Sequence, residues 1–123
     1  MNVLIIENSE ILNERYTRLL STLDGIEMLT HSSLSDKTIE FVKSQKPEVV
    51  VLAQDVDSNE FIRNIKLLKK QNPKTYIIIL SAKPFPQINK KYKESGADFI
   101  LDKSTEFNKL PEVFQELNVE KAN

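Results

Sequence analysis

The chain has 123 residues, enough for one domain with a substantial core, and its 17 basic and 18 acidic side chains leave a formal net charge of −1. That balance gives no bulk attraction to nucleic acid or to an anionic membrane. The absence of cysteine excludes disulfides and thiolate chemistry, one histidine cannot build a zinc site alone, and no apolar stretch approaches the roughly 18 residues of a membrane span.

The N-terminus enters a strand-like run without a basic leader, so the default expectation is a cytoplasmic protein forming a single domain over residues 1–123. Residues 2–6 are apolar and are cut off by Glu7-Asn8-Ser9-Glu10. This predicts a buried strand and a polar turn in which Ser9 is the N-cap of a helix. Leu12, Tyr16, Leu19 and Leu23 then form one apolar stripe on a helix that stops near Asp24-Gly25. Residues 26–30 read as a second strand. His31 is expected to be a surface turn residue, and Ser33, Ser35 and Asp36 belong to a turn that caps the next helix, from which Ile39 and Val42 face inward.

Pro47 closes that helical zone and leads into Val49-Val50-Val51-Leu52-Ala53, the run around which the chain is organised. Alternation sends Val49, Val51 and Ala53 to one face and Val50 and Leu52 to the other. Both faces are apolar, so helices must cover both sides. Residues 55–60 read as a polar loop with Ser58 as a cap. Ile62, Ile65 and Leu68 mark a third helix that stops before Asn72-Pro73.

Residues 75–80 are another buried strand, followed by Ser81-Ala82-Lys83 and a Pro84-Phe85-Pro86 turn. The fourth helix is expected over 87–95, with Pro86 suited to its first turn and Gly96 as its left-handed C-cap. It carries few apolar residues beyond Ile88 and Tyr92 and is expected to be the least firmly packed element. Residues 98–101 form a fifth strand and 102–105 a turn. Pro111 opens a last helix with Leu110, Val113, Phe114 and Leu117 inside, and residues 118–123 are expected to fray. Five strands alternating with five helices specify an α/β fold: a doubly wound five-stranded parallel sheet of order 2-1-3-4-5, flavodoxin-like. A small-molecule binder of that fold would need a glycine-rich phosphate loop, and Gly25 and Gly96 do not supply one.

That order brings the carboxyl ends of strands one, three, four and five together, with Glu7-Asn8, Ala53, Ser81 and Lys103 at one pocket. These positions lie in VLIIEN (3–8), PEVVVLA (47–53), IIILSA (77–82) and GADFILDKS (96–104). In them the chain resembles a receiver domain of two-component signalling, the chemotaxis-type response-regulator fold, over residues 2–118. The resemblance implies two acidic residues after strand one that bind magnesium, a phosphate-accepting aspartate ending strand three, a Ser or Thr ending strand four and a lysine ending strand five. Glu7, Ser81 and Lys103 match; Asn8 and Ala53 do not. The aromatic switch position is Ile100, and Asp57, Asn59 and Phe61 stand where the family has a proline and glycines.

A methyl group cannot be phosphorylated, and magnesium needs hard oxygen ligands that are largely gone here. The expectation is therefore a pseudo-receiver: not an enzyme, without magnesium or another cofactor, acting as a phosphorylation-independent protein-interaction module. The alternative is a pocket that still takes a metal or phosphoryl group through Glu7, Asn8 or Asp55. In the emptied pocket Lys103 is expected to pair with Glu7, and Ser81 to cap the turn before Pro84. The resemblance directs partner binding, or homodimerisation, to the fourth helix, fifth strand and fifth helix. There Lys90, Lys91 and Lys93 carry positive charge, and Asp98, Asp102, Glu112 and Glu116 negative charge. Direct binding to nucleic acid or membrane is not expected.

Overall fold

A computed structural model of the chain describes residues 1–31, 33–53, 59–82 and 85–122, with side chains described as far as Leu117. The elements are β1 (Asn2–Ile6), α1 (Glu10–Leu20), β2 (Glu27–His31), α2 (Asp36–Gln45), β3 (Val49–Leu52), α3 (Asn59–Gln71), β4 (Tyr76–Ser81), α4 (Pro86–Ser95), β5 (Phe99–Asp102) and α5 (Leu110–Ala122). A single 3-10 turn, Phe107–Lys109, precedes α5. The five strands make one sheet of order β2-β1-β3-β4-β5, parallel at every pairing. This is the doubly wound α/β fold expected from the alternation of elements.

The central strand decides the layering. Val49 and Val51 join Val3, Ile5, Ile78 and Leu80 beneath Tyr16 and Leu20 of α1 and Leu110, Phe114 and Leu117 of α5. Val50 and Leu52 join Leu4, Ile6, Ile77 and Ile79 beneath Ile39, Val42, Phe61, Ile65, Leu68 and Tyr92 of the other three helices. Each such side chain contributes about 1.5–3 kcal/mol when fully buried, so an apolar strand on both faces anchors both layers.

Helix ends follow their local chemistry. Ser9 Oγ accepts the Leu12 N–H at 3.2 Å, and Ser35 Oγ accepts that of Thr38 at 3.4 Å. Gly96 stops α4 with φ 123°, and a Cβ there would lie 2.9 Å from Cβ and Cγ of Lys69. Glycine is therefore required both by the backbone and by the approach of α3.

Several expectations are corrected. β2, β4 and β5 each sit one residue later than the apolar runs suggest, because ladder pairing continues through His31, Ser81 and Asp102. His31 closes β2 half-buried, its ring 4.7 Å from that of Phe41, and is not a surface turn residue. Phe61 belongs to α3 and is buried edge-on against Tyr92 at 5.9 Å. α4 buries one apolar side chain, Tyr92, together with Ser95, against two apolar side chains in α1 and three in α3, in keeping with its sparse apolar content. The last helix starts at Leu110, with Pro111 inside its first turn, and its backbone is helical as far as Ala122. The predicted cap Ser58 lies outside the described residues.

Candidate functional site

Four elements deliver the pocket residues. Glu7 follows β1 and is only 3% exposed. Its backbone N–H donates to His31 O at 2.9 Å, which extends the ladder and fixes where the side chain enters. Ala53 follows β3, is 1% exposed and donates its N–H to Ile6 O at 3.0 Å. Lys103 follows β5, and its N–H donates to Ser81 O at 2.8 Å, holding the ends of β4 and β5 together.

The side chains close on one another. Lys103 Nζ lies 2.8 Å from Glu7 Oε1 and donates to the Ala53 carbonyl oxygen at 2.7 Å. The Tyr16 hydroxyl donates to the same Glu7 oxygen at 2.9 Å, and the Ser9 N–H donates to Glu7 Oε2 at 3.3 Å. Asn13 Nδ2 adds a bond to the Glu7 carbonyl at 2.9 Å. A buried carboxylate without partners would cost several kcal/mol; here an ammonium and two neutral donors compensate it. The pairing of Lys103 with Glu7 expected from the sequence is therefore present.

The remaining predicted positions behave differently. Asn8 is exposed beside the buried Glu7 and does not join these contacts. Ser81 is buried at the end of β4, but the turn it was expected to cap includes Lys83 and Pro84, which lie outside the described residues, as do Asp55 and Asp57. Ile100 is half-buried and packs against the layer of α2, α3 and α4. The Lys103–Ser104 bond is trans, like every other peptide bond among the described residues.

The supposed charged face is also redistributed. Lys90, Lys91 and Lys93 are exposed on α4, Lys90 lying 4.0 Å from Glu94, and Glu112 and Glu116 are exposed on α5. Asp98 and Asp102 are not free anions opposite them. Asp98 Oδ2 accepts from Lys69 Nζ at 2.7 Å and from the Ile77 N–H at 2.8 Å, tying β5 to α3 and β4. Asp102 Oδ1 accepts from Ser104 Oγ at 2.8 Å and from the N–H groups of Ser104 and Thr105 at 2.9 and 3.0 Å. These donors, the Ser104 hydroxyl foremost, hold the Asp102 carboxyl below its ordinary pKa. The Asp102 N–H, and after it Lys109, does the same for Glu106.

Sequence reasoning missed Tyr16 and Asn13 as pocket residues. The available signal was a tyrosine inside an apolar stripe, since a buried hydroxyl needs a partner and the nearest strand end carries Glu7. Among the described residues no group of three His, Cys, Asp or Glu side chains is arranged to hold a metal, and the buried Glu7 carboxylate accepts from the Lys103 ammonium. Among the described residues no helix is long and apolar enough to cross a membrane.

No curated protein matches the chain in sequence. Solved structures do resemble it in fold. A candidate pilus assembly protein, CpaE, from Burkholderia thailandensis is 11% identical with a TM-score of 0.83, over 97% of this chain and 98% of that one. A two-component response regulator of the LuxR family from Aurantimonas sp. is 16% identical with a TM-score of 0.82, over 97% and 85%. A response regulator from Thermotoga maritima is 20% identical with a TM-score of 0.79, over 94% and 95%. The family profile of the response regulator receiver domain matches residues 3–115, and the chain belongs to that family of two-component signalling domains.

Proposed function

We propose that this receiver domain works without phosphorylation, as a protein-interaction module that binds a protein partner or a second copy through α4, β5 and α5. In this reading it is cytoplasmic, has no catalytic activity and holds no metal or cofactor. The observation that carries it is the position of the Lys103 ammonium, 2.7 Å from the backbone oxygen of Ala53 and 2.8 Å from Glu7. At the strand end where a receiver presents its acceptor carboxylate, this chain presents a methyl group, and the neighbouring lysine is engaged by groups of the chain itself. The second support is that, among the described residues, Glu7 is the single buried carboxylate, a poor substitute for the oxygen-rich ligand set of magnesium.

Two experiments test the reading. Incubation with acetyl phosphate and magnesium, followed by intact-mass measurement, is expected to give no phosphoryl adduct; a stoichiometric adduct contradicts it. On the partner face, Lys91→Glu is expected to weaken partner capture or self-association through α4. Binding and sedimentation identical to the wild type at high concentration contradict that face.

A further inference from the structure

We propose that β2 is a self-association edge, on which a second copy pairs antiparallel about Leu29 to continue the sheet across a two-fold axis. This surface is on the opposite edge of the sheet from β5 and is independent of whether the pocket takes a phosphoryl group. The two edges differ in exposure. None of the four residues of β5 is exposed, whereas Glu27, Leu29 and Thr30 of β2 are, Leu29 to 56%. An edge strand is ordinarily guarded by charged side chains, lysine above all, by proline or by a bulge. The strand Glu27-Met28-Leu29-Thr30-His31 has one charge, Glu27 at its start, and no lysine, proline or bulge.

The backbone sets the register. Glu27 donates its N–H to Met1 O, and His31 O accepts from the Glu7 N–H, both at 2.9 Å. Residues of a strand alternate between their two neighbours, so Glu27, Leu29 and His31 bond to β1, while Met28 and Thr30 direct their N–H and C=O groups to the open edge. In an antiparallel pairing about Leu29, Met28 of one copy opposes Thr30 of the other as a hydrogen-bonded pair, and the two-fold axis repeats it. Leu29 then meets Leu29 at a non-hydrogen-bonded position, where side chains approach most closely.

The side chains agree with that register. Glu27, Leu29 and His31 share one face of the strand, so the pairing sets Glu27 of each copy opposite His31 of the other. Among the described residues the Glu27 carboxylate has no ion pair, and the His31 imidazole can donate to it from the nitrogen that does not face Thr38. The five-residue strand is self-complementary in backbone hydrogen bonding, in the pairing of Glu27 with His31 and at its apolar centre.

Sedimentation velocity across a concentration series, with cysteine cross-linking, tests this. Thr30→Pro removes an N–H that β1 does not use, a change an edge strand tolerates, and is expected to weaken dimerisation by roughly tenfold or more. Leu29→Lys, on the exposed centre, is expected to do the same and carries the test if Thr30→Pro does not fold. Because the chain has no cysteine, Leu29→Cys is expected to form an intermolecular disulfide under mild oxidation, the facing Cα atoms being within disulfide reach. Leu67→Cys, at an exposed position on α3, is the control. A monomer at every concentration, a dimer unchanged by folded Thr30→Pro or Leu29→Lys, or cross-linking no faster at position 29 than at 67 overturns the proposal. A dimer dissolved by Lys91→Glu but untouched by the β2 variants also overturns it and leaves the α4 face standing.

Discussion

Lys103 Nζ stands between two oxygens of its own chain, 2.8 Å from Glu7 Oε1 and 2.7 Å from the carbonyl of Ala53. Glu7 is almost fully buried and Lys103 is 19% exposed, so the pair is desolvated on its carboxylate side. Removing one partner of such a pair leaves an uncompensated buried charge, while replacing both by neutral groups can be nearly harmless. Lys103→Met is thus expected to destabilise the domain by about 3–5 kcal/mol, and Glu7→Gln with Lys103→Met to recover most of it. Urea denaturation of the two single variants and the double variant measures the coupling; additive losses contradict a direct interaction.

Asp98 should matter to stability more than its half-exposed position suggests. Its carboxylate accepts from Lys69 Nζ and from the Ile77 N–H, and Lys69 also donates to Thr75 O at 2.8 Å. Asp98→Ala leaves a strand N–H without its acceptor and is expected to cost about 1–3 kcal/mol. Faster hydrogen exchange at the Ile77 amide would locate the loss; an unchanged Ile77 amide would contradict the assignment.

Gly96 and Gly25 make a matched comparison. Both have positive φ, 123° and 76°, but an added Cβ meets Lys69 only at Gly96 and open space at Gly25. Gly25→Ala is expected to cost about 1 kcal/mol from backbone strain alone. Gly96→Ala is expected to cost about 1–3 kcal/mol, because α3 must also shift. Thermal melts that rank the two in the opposite order contradict the packing argument.

The fold was legible because its signals are local and redundant: an apolar run on both faces at 49–53, the Ser9 cap, and polar turns between every pair of elements. The strand ends were legible for the same reason, since the topology alone brings Glu7, Ala53 and Lys103 together. What escaped was decided by partners on other elements. Asp98 looks like a surface charge in sequence, and only Lys69, 29 positions away, reveals it as a clamp. His31 turns inward because Phe41 of α2 offers it a ring, a contact that no periodicity in β2 predicts. Tyr16 reads as one more apolar residue until its hydroxyl is seen to need Glu7.

The carboxylates of the turn after β5 should resist protonation into acid. Asp102 and Glu106 both have carboxyls held below their ordinary values of 3.8 and 4.5. A depressed carboxylate stabilises the fold above its unfolded pKa, and that contribution disappears as pH falls through the lower folded value. The amides of Ser104 and Thr105, which report Asp102, are therefore expected to titrate with midpoints below 3.8, and the Asp102 amide, which reports Glu106, below 4.5. Midpoints at or above those values by NMR contradict the hydrogen-bonded turn.

Whether the strand-end pocket is silent is tested by a backbone-amide NMR titration, first with magnesium and then with beryllofluoride as a mimic of an aspartyl phosphoryl group. No saturable shift is expected at Glu7, Ala53, Ser81 or Lys103 in either step, because the buried Glu7 carboxylate is already paired with Lys103. Saturable shifts at those residues would contradict this and show that the strand ends still bind a metal or a phosphoryl group.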